Sequence, residues 1–177
     1  MDYALSPQSI DQLLKLVARS AAGRDCLERF LPMYHRKQVR IEGYPDEIVA
    51  KLREALPEGQ PIGACFVHEG VQGVIYLDLS SPLGILAPFL VHEIVHALDR
   101  KVWDGSAARA EQETVNAEVR AFETQFRFTQ ELKERDSEYA KFMADAYPKA
   151  RILHEWLERD DIEALYGGGK SAKKLAA

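Results

Sequence analysis

The run Phe89-Leu90-Val91-His92-Glu93-Ile94-Val95-His96-Ala97-Leu98-Asp99 constrains this chain more than any other stretch. Ile85, Leu86, Phe89, Leu90, Val91, Ile94, Val95, Ala97 and Leu98 surround the helical wheel almost completely, the mark of a helix buried on all sides. Two histidines and a glutamate inside such a helix need partners, because unpaired polar groups out of water are costly. Residues four apart on a helix lie one turn above the other. His92 and His96 can therefore bring two imidazoles to one metal ion. Glu93 is turned by about 100° from His92, beside the ion, where a carboxylate can take a proton from water. The competing reading, a solvated helix face with charged groups on it, fits the apolar flanks poorly.

The pattern H-E-x-x-H on a helix is the two-histidines-plus-base arrangement of a zinc metallopeptidase. Such a site keeps three protein ligands and leaves a fourth position for water, so a further ligand is required from downstream. The helix expected over roughly 107–134 carries an apolar stripe of Val115, Val119, Phe122 and Phe126. Glu118 stands three after Val115 and four before Phe122, within the buried stripe, where a carboxylate needs a strong partner. Glu111 and Glu113 lie near the helix start, where acids suit the dipole, and Glu123 borders the stripe. Glu118 is the preferred third ligand, with Glu113 and the others left open. Asp99 shares a face with both histidines. Three ligands in a row on one rigid helix give poor tetrahedral geometry, so Asp99 suits a supporting role, accepting the outer N–H of a ligating histidine. The alternative is a surface acid at the end of the helix.

In chain order, Ser6-Pro7 reads as a helix cap with proline at the first position. Ile10, Leu13, Leu14 and Val17 continue that helix to about Gly23. A second, short helix carries Cys26, Leu27, Phe30 and Leu31 and ends before His35, a surface residue. Val39–Glu42 alternates as a strand would. Pro45 opens a helix with Ile48, Val49, Leu52 and Leu56 on its inner face. Residues 62–68 and 74–79 read as two strands of a hairpin, with His68 a strand or loop residue. The second leads through Ser80-Ser81-Pro82 into the H-E-x-x-H helix, which is expected to run to about Trp103. If that second strand is a sheet edge, Tyr76, Leu77 and Asp78 can pair with an extended peptide through main-chain hydrogen bonds. A last helix is expected over roughly 137–165, kinked by Pro148, with Tyr139, Tyr147 and His154 as possible donors to a developing oxyanion. Gly167-Gly168-Gly169-Lys170-Ser171 lacks the first glycine of a phosphate loop, since position 164 is Ala, and reads as a flexible basic tail.

Composition sets outer bounds. A chain of 177 residues suits one domain, taken as 1–166 with 167–177 as the tail. The net charge of −5 gives no electrostatic case for nucleic acid. No apolar run reaches the length of a membrane span, no signal peptide is visible, and two distant cysteines make neither a disulfide framework nor a cysteine zinc site. A cytoplasmic protein is the expectation; its oligomeric state is not legible.

The stretch His92-Glu93-Ile94-Val95-His96-Ala97-Leu98-Asp99, followed by Ala117-Glu118-Val119-Arg120-Ala121-Phe122, resembles the gluzincin metallopeptidases. Among them it looks most like the small minimal ones: the mitochondrial peptidase that processes an ATP synthase subunit, and the repressor- and antitoxin-cleaving family of mobile elements. The resemblance spans about residues 74–126. It implies Zn2+ held by His92, His96 and Glu118, with Glu93 as base. It also implies a zincin-like α+β fold, mostly helical, with a small antiparallel or mixed sheet beside the active-site helix. The chain departs from the mitochondrial family in lacking its further cysteines. It departs from thermolysin-like gluzincins in having Phe122 where they place an aspartate. The expected function is zinc-dependent hydrolysis of a protein or peptide substrate; the other class is a catalytically silent zincin-like module that binds or regulates.

Overall fold

The computed structural model describes residues 2–56, 61–69, 72–99, 107–146 and 156–166. Their order is α1 (Ile10–Val17), α2 (Ala21–His35), β1 (Val39–Gly43), α3 (Asp46–Ala55), β2 (Cys65–Glu69), β3 (Gln72–Leu77), α4 (Leu83–Leu98), α5 (Ala107–Arg135), α6 (Ser137–Ala146) and α7 (Arg159–Tyr166). The fold is α+β, mostly helical, with one small mixed sheet of order β1-β3-β2. No described helix is long and apolar enough to cross a membrane.

The helix α4 is the centre of the molecule. It touches α1, α2, α5, α6, β2 and β3, and every residue from Leu83 to Ile94 is buried. A helix start inside a core leaves backbone N–H groups without partners, and Pro82 has no side chain to cap them. The N-terminal segment meets this need. Leu83 N donates to Leu5 O at 2.8 Å and Gly84 N to Tyr3 O at 3.1 Å. Ser6 Oγ donates to Ser80 O at 2.6 Å, so the expected cap Ser6-Pro7 ties the chain to the turn before α4 instead. The caps that form are Ser9, which accepts from Gln12 N, and Ser20, which accepts from Gly23 N. They move the break between the two expected helices from near Gly23 to residues 18–20.

Pro88 lies inside α4. It has no N–H to give to the carbonyl four residues earlier, so the Gly84 oxygen loses its helical partner. Tyr139 Oη on α6 donates to that oxygen at 3.3 Å, in a wholly buried position. This hydroxyl therefore repairs the helix rather than serving a reaction, which corrects the expectation that Tyr139 could face an oxyanion. Tyr139→Phe is expected to lower stability by about 1–3 kcal/mol, the usual effect of a buried acceptor left unpaired. In a Pro88→Ala background the loss should shrink, because alanine restores the backbone N–H. Urea unfolding of the four proteins measures both effects; equal losses in the two backgrounds would refute the repair.

In the sheet, β1 runs parallel to β3, from Val39↔Gly73 to Gly43↔Leu77. Strand β2 runs antiparallel to it, from Cys65↔Tyr76 to Glu69↔Gln72. Strand β3 is thus the middle strand, and the expected peptide-binding edge at Tyr76, Leu77 and Asp78 is not an edge. Leu77 is fully buried. Tyr76 stacks on Tyr44, with centroids 5.8 Å apart. Asp78 is 3% exposed and builds the turn into α4: it accepts from Ser80 N at 3.1 Å, Ser80 Oγ at 2.6 Å, Ser81 Oγ at 2.9 Å and Arg53 Nη2 at 3.3 Å. Burial pushes its carboxyl up, but the Ser80, Ser81 and Arg53 hydrogen bonds outweigh it and hold the pKa below the usual range. Among the described residues the edges are β1 and β2.

The expected inner face of α3 is only partly covered, with Val49, Leu52 and Leu56 half-buried and Ile48 outside it. No residue of α3 is buried, and Ile48 is 39% exposed. Arg53, bonded to Asp78 and Ser80, ties this helix to the turn before α4. Among the described residues, the expected helix over 137–165 comprises α6 and α7. Pro148, Tyr147 and His154 lie outside the described residues, as do the expected extension of α4 to Trp103 and the tail 167–177.

Candidate metal centre

Two helices packed against each other build the site. His92 and His96 stand one turn apart on α4, and Glu118 faces them from α5, the stripe of which packs Val115, Val119 and Phe122 inward. The three side chains converge. His92 Nε2 lies 3.0 Å from His96 Nε2 and 3.2 Å from Glu118 Oε2, and His96 Nε2 lies 3.4 Å from Glu118 Oε1. One ligand atom from each falls within 4.8 Å of the others, so the group could hold a metal ion.

The electrostatics point the same way. Burial pushes the Glu118 carboxyl up, but the hydrogen bonds and charges of His92 and His96 outweigh it and bring it down to about 2. For His96, burial opposes the charged ring. Glu118, Glu93 and Asp99 overcome that and raise its pKa. Lone pairs from three groups thus crowd one point, and only positive charge, whether protons on the rings or a metal cation, stabilises the arrangement.

Glu93 sits beside this cluster and is 7% exposed. Burial raises its carboxyl above the usual range, against the pull of the two histidines, and the Glu118 charge adds to the rise. The backbone N–H of Phe66 on β2 donates to it. Its side chain therefore lies toward the edge strand of the sheet, while the histidines face α5, as the turn of about 100° between adjacent helical positions requires.

Not every expected residue joins the cluster. Asp99 caps the end of α4, but its carboxylate binds Arg120 on α5, at 2.7 Å from Nε and 2.5 Å from Nη2. The outer nitrogen of His92, Nδ1, is buried and has no hydrogen-bond partner among the described residues. The ring of His92 is instead braced edge-on by Phe122, with centroids 4.6 Å apart. Glu123 is exposed; the side chains of Glu111 and Glu113 lie outside the described residues. His35 is exposed as expected, and His68 lies on β2. Tyr139 is bonded at Gly84, eight residues and about 12 Å of helix from His92.

Sequence reasoning missed Arg120, the Phe66 N–H and the place of β2 at a sheet edge. Arg120 had a signal, standing two residues after Glu118. Phe66 contributes through its backbone, which no residue type announces. No protein-family model, no curated protein and no solved structure matches this chain.

Proposed function

We propose that the chain is a zinc-dependent peptidase of zincin-like build, acting on an extended protein or peptide segment. The observation that carries this reading is the convergence of His92, His96 and Glu118 with a buried Glu93 beside them. The donor set suits zinc, which takes imidazole nitrogen and carboxylate oxygen. Two atoms each about 2.0–2.1 Å from one ion at a tetrahedral angle stand roughly 3.3–3.4 Å apart. The distances of 3.0, 3.2 and 3.4 Å between the three groups lie close to that spacing. Three protein ligands among the described residues leave a position for water, as catalytic rather than structural sites do.

When bound, zinc supplies Lewis acidity, lowering the pKa of water and polarising the substrate carbonyl. The rest falls to the chain. Glu93 takes the proton of the attacking water on its carboxylate and delivers it to the leaving amine. The Phe66 N–H holds the carboxylate in place. The outer edge of β2, beside Glu93 and apart from the N–H that Phe66 gives to it, suits an extended peptide paired through main-chain hydrogen bonds. This is the role the sequence suggested for β3.

Zinc content by elemental analysis tests the reading, on wild type and Glu118→Ala purified side by side without chelators. One zinc per chain is expected in wild type, and loss or strong weakening in the variant. A wild type without metal would sink the proposal. Full retention by Glu118→Ala would remove Glu118 from the ligand set.

A further inference from the structure

The ion pair between Asp99 and Arg120 lies outside the three ligands but is placed to act on all of them. Asp99 is three residues beyond His96, at the end of α4; Arg120 is two residues beyond Glu118, on α5. Both guanidinium contacts, from Nε at 2.7 Å and Nη2 at 2.5 Å, fall on Asp99 Oδ2. The pair thus bridges the two helices that carry the ligands, within one turn of His96 on one side and of Glu118 on the other. We infer that Asp99 and Arg120 are positioning residues that set the offset of α5 against α4, and with it the affinity of the His92-His96-Glu118 group for a divalent cation. The inference rests on the metal reading above.

Simple electrostatics predicts the opposite sign at one of the two residues. Arg120 is a cation near a cation site, so removing its charge should tighten metal binding by relieving repulsion. If Arg120 instead holds Glu118 in register, removing it should weaken binding. Groups that orient metal ligands from outside typically matter by tenfold or more.

The test is the Zn2+ dissociation constant, read by competition with a chromophoric chelator, for full-length wild type, Arg120→Gln, Asp99→Asn and the double variant. Arg120→Gln is expected to bind Zn2+ about tenfold more weakly or worse. The double variant should be no weaker than the weaker single one, because each single change already breaks the same pair. Arg120→Lys, which keeps a charge within reach of Asp99, should recover part of the loss. The unfolding midpoints of the metal-free proteins should move little, since partly exposed ion pairs add little to global stability. Equal or tighter binding by Arg120→Gln overturns the inference, as do additive losses in the double variant or a loss matched by global unfolding. These results leave the metal reading standing, whereas a wild type that binds no Zn2+ overturns both.

Discussion

Glu93→Gln is expected to lower peptide hydrolysis by about 10²–10⁴-fold, the range for losing a positioned general acid–base group, while the chain keeps its metal. The amide has the shape of the carboxylate, and its oxygen can still accept from the Phe66 N–H that contacts Glu93. The helix and the neighbouring histidines are therefore undisturbed. What the variant loses is the ability to take and return a proton. The substitution also removes a buried charge beside His92 and His96, so metal affinity should shift far less than turnover. Measurement of kcat/KM on a cleaved peptide, with zinc content on the same samples, separates the two. Retained activity would remove Glu93 from the chemistry. Loss of zinc together with activity would make it a ligand or a structural group.

Gly23→Ala should destabilise the fold by about 2 kcal/mol or more, against the trend of helix propensity. In a helix interior alanine is favoured over glycine by up to about 1 kcal/mol. Here the added Cβ would run into the backbone oxygen of Val17 and would stand 2.9 Å from the Val17 carbonyl carbon and 3.0 Å from Ser20 Oγ. Backbone cannot step aside as the end of a long side chain can, and overpacking of this kind costs about 1–3 kcal/mol, sometimes more. The same displacement would disturb the cap in which Gly23 N donates to Ser20 Oγ at 2.8 Å, an interaction worth about 1 kcal/mol. Clash and cap together exceed the propensity gain. Urea unfolding of the variant decides it: equal or greater stability would mean that α1 and α2 do not meet in this tight corner.

The parts of the molecule legible in the sequence were those written in helical periodicity. The buried helix α4 and its two histidines followed from an apolar run broken by three polar residues. Glu118 followed from its place between Val115 and Phe122 on the inward stripe of α5. Strand order was another matter. Nothing in Val74–Leu77 says whether one or two strands will flank it, because the second neighbour, β1, arrives from beyond α3, more than thirty residues back in the chain. An apolar, doubly buried strand reads much like a half-buried one over so short a run. The helix starts failed for a local reason. Ser6-Pro7 and Ser9 both carry cap chemistry, and the choice went to Ser9 once Ser6 had bonded across to Ser80. Asp99 was read as an acid near histidines, but the long Arg120 side chain from another helix reached it first, and such a partner leaves no trace in spacing.

The ligands sit on two helices, with Glu118 twenty-two residues after His96. On the proposed reading, that arrangement makes folding and metal supply one equilibrium. An unfolded chain offers no preformed site, so an ion gripped by both helices stabilises only the folded form. With free ion at 100 times its dissociation constant, the gain is about 2.7 kcal/mol, a sizeable share of the 5–15 kcal/mol typical of a domain. Starved of metal, the same chain would open more often and meet cellular proteases more often. Its abundance would follow the metal status of its surroundings with no dedicated sensor.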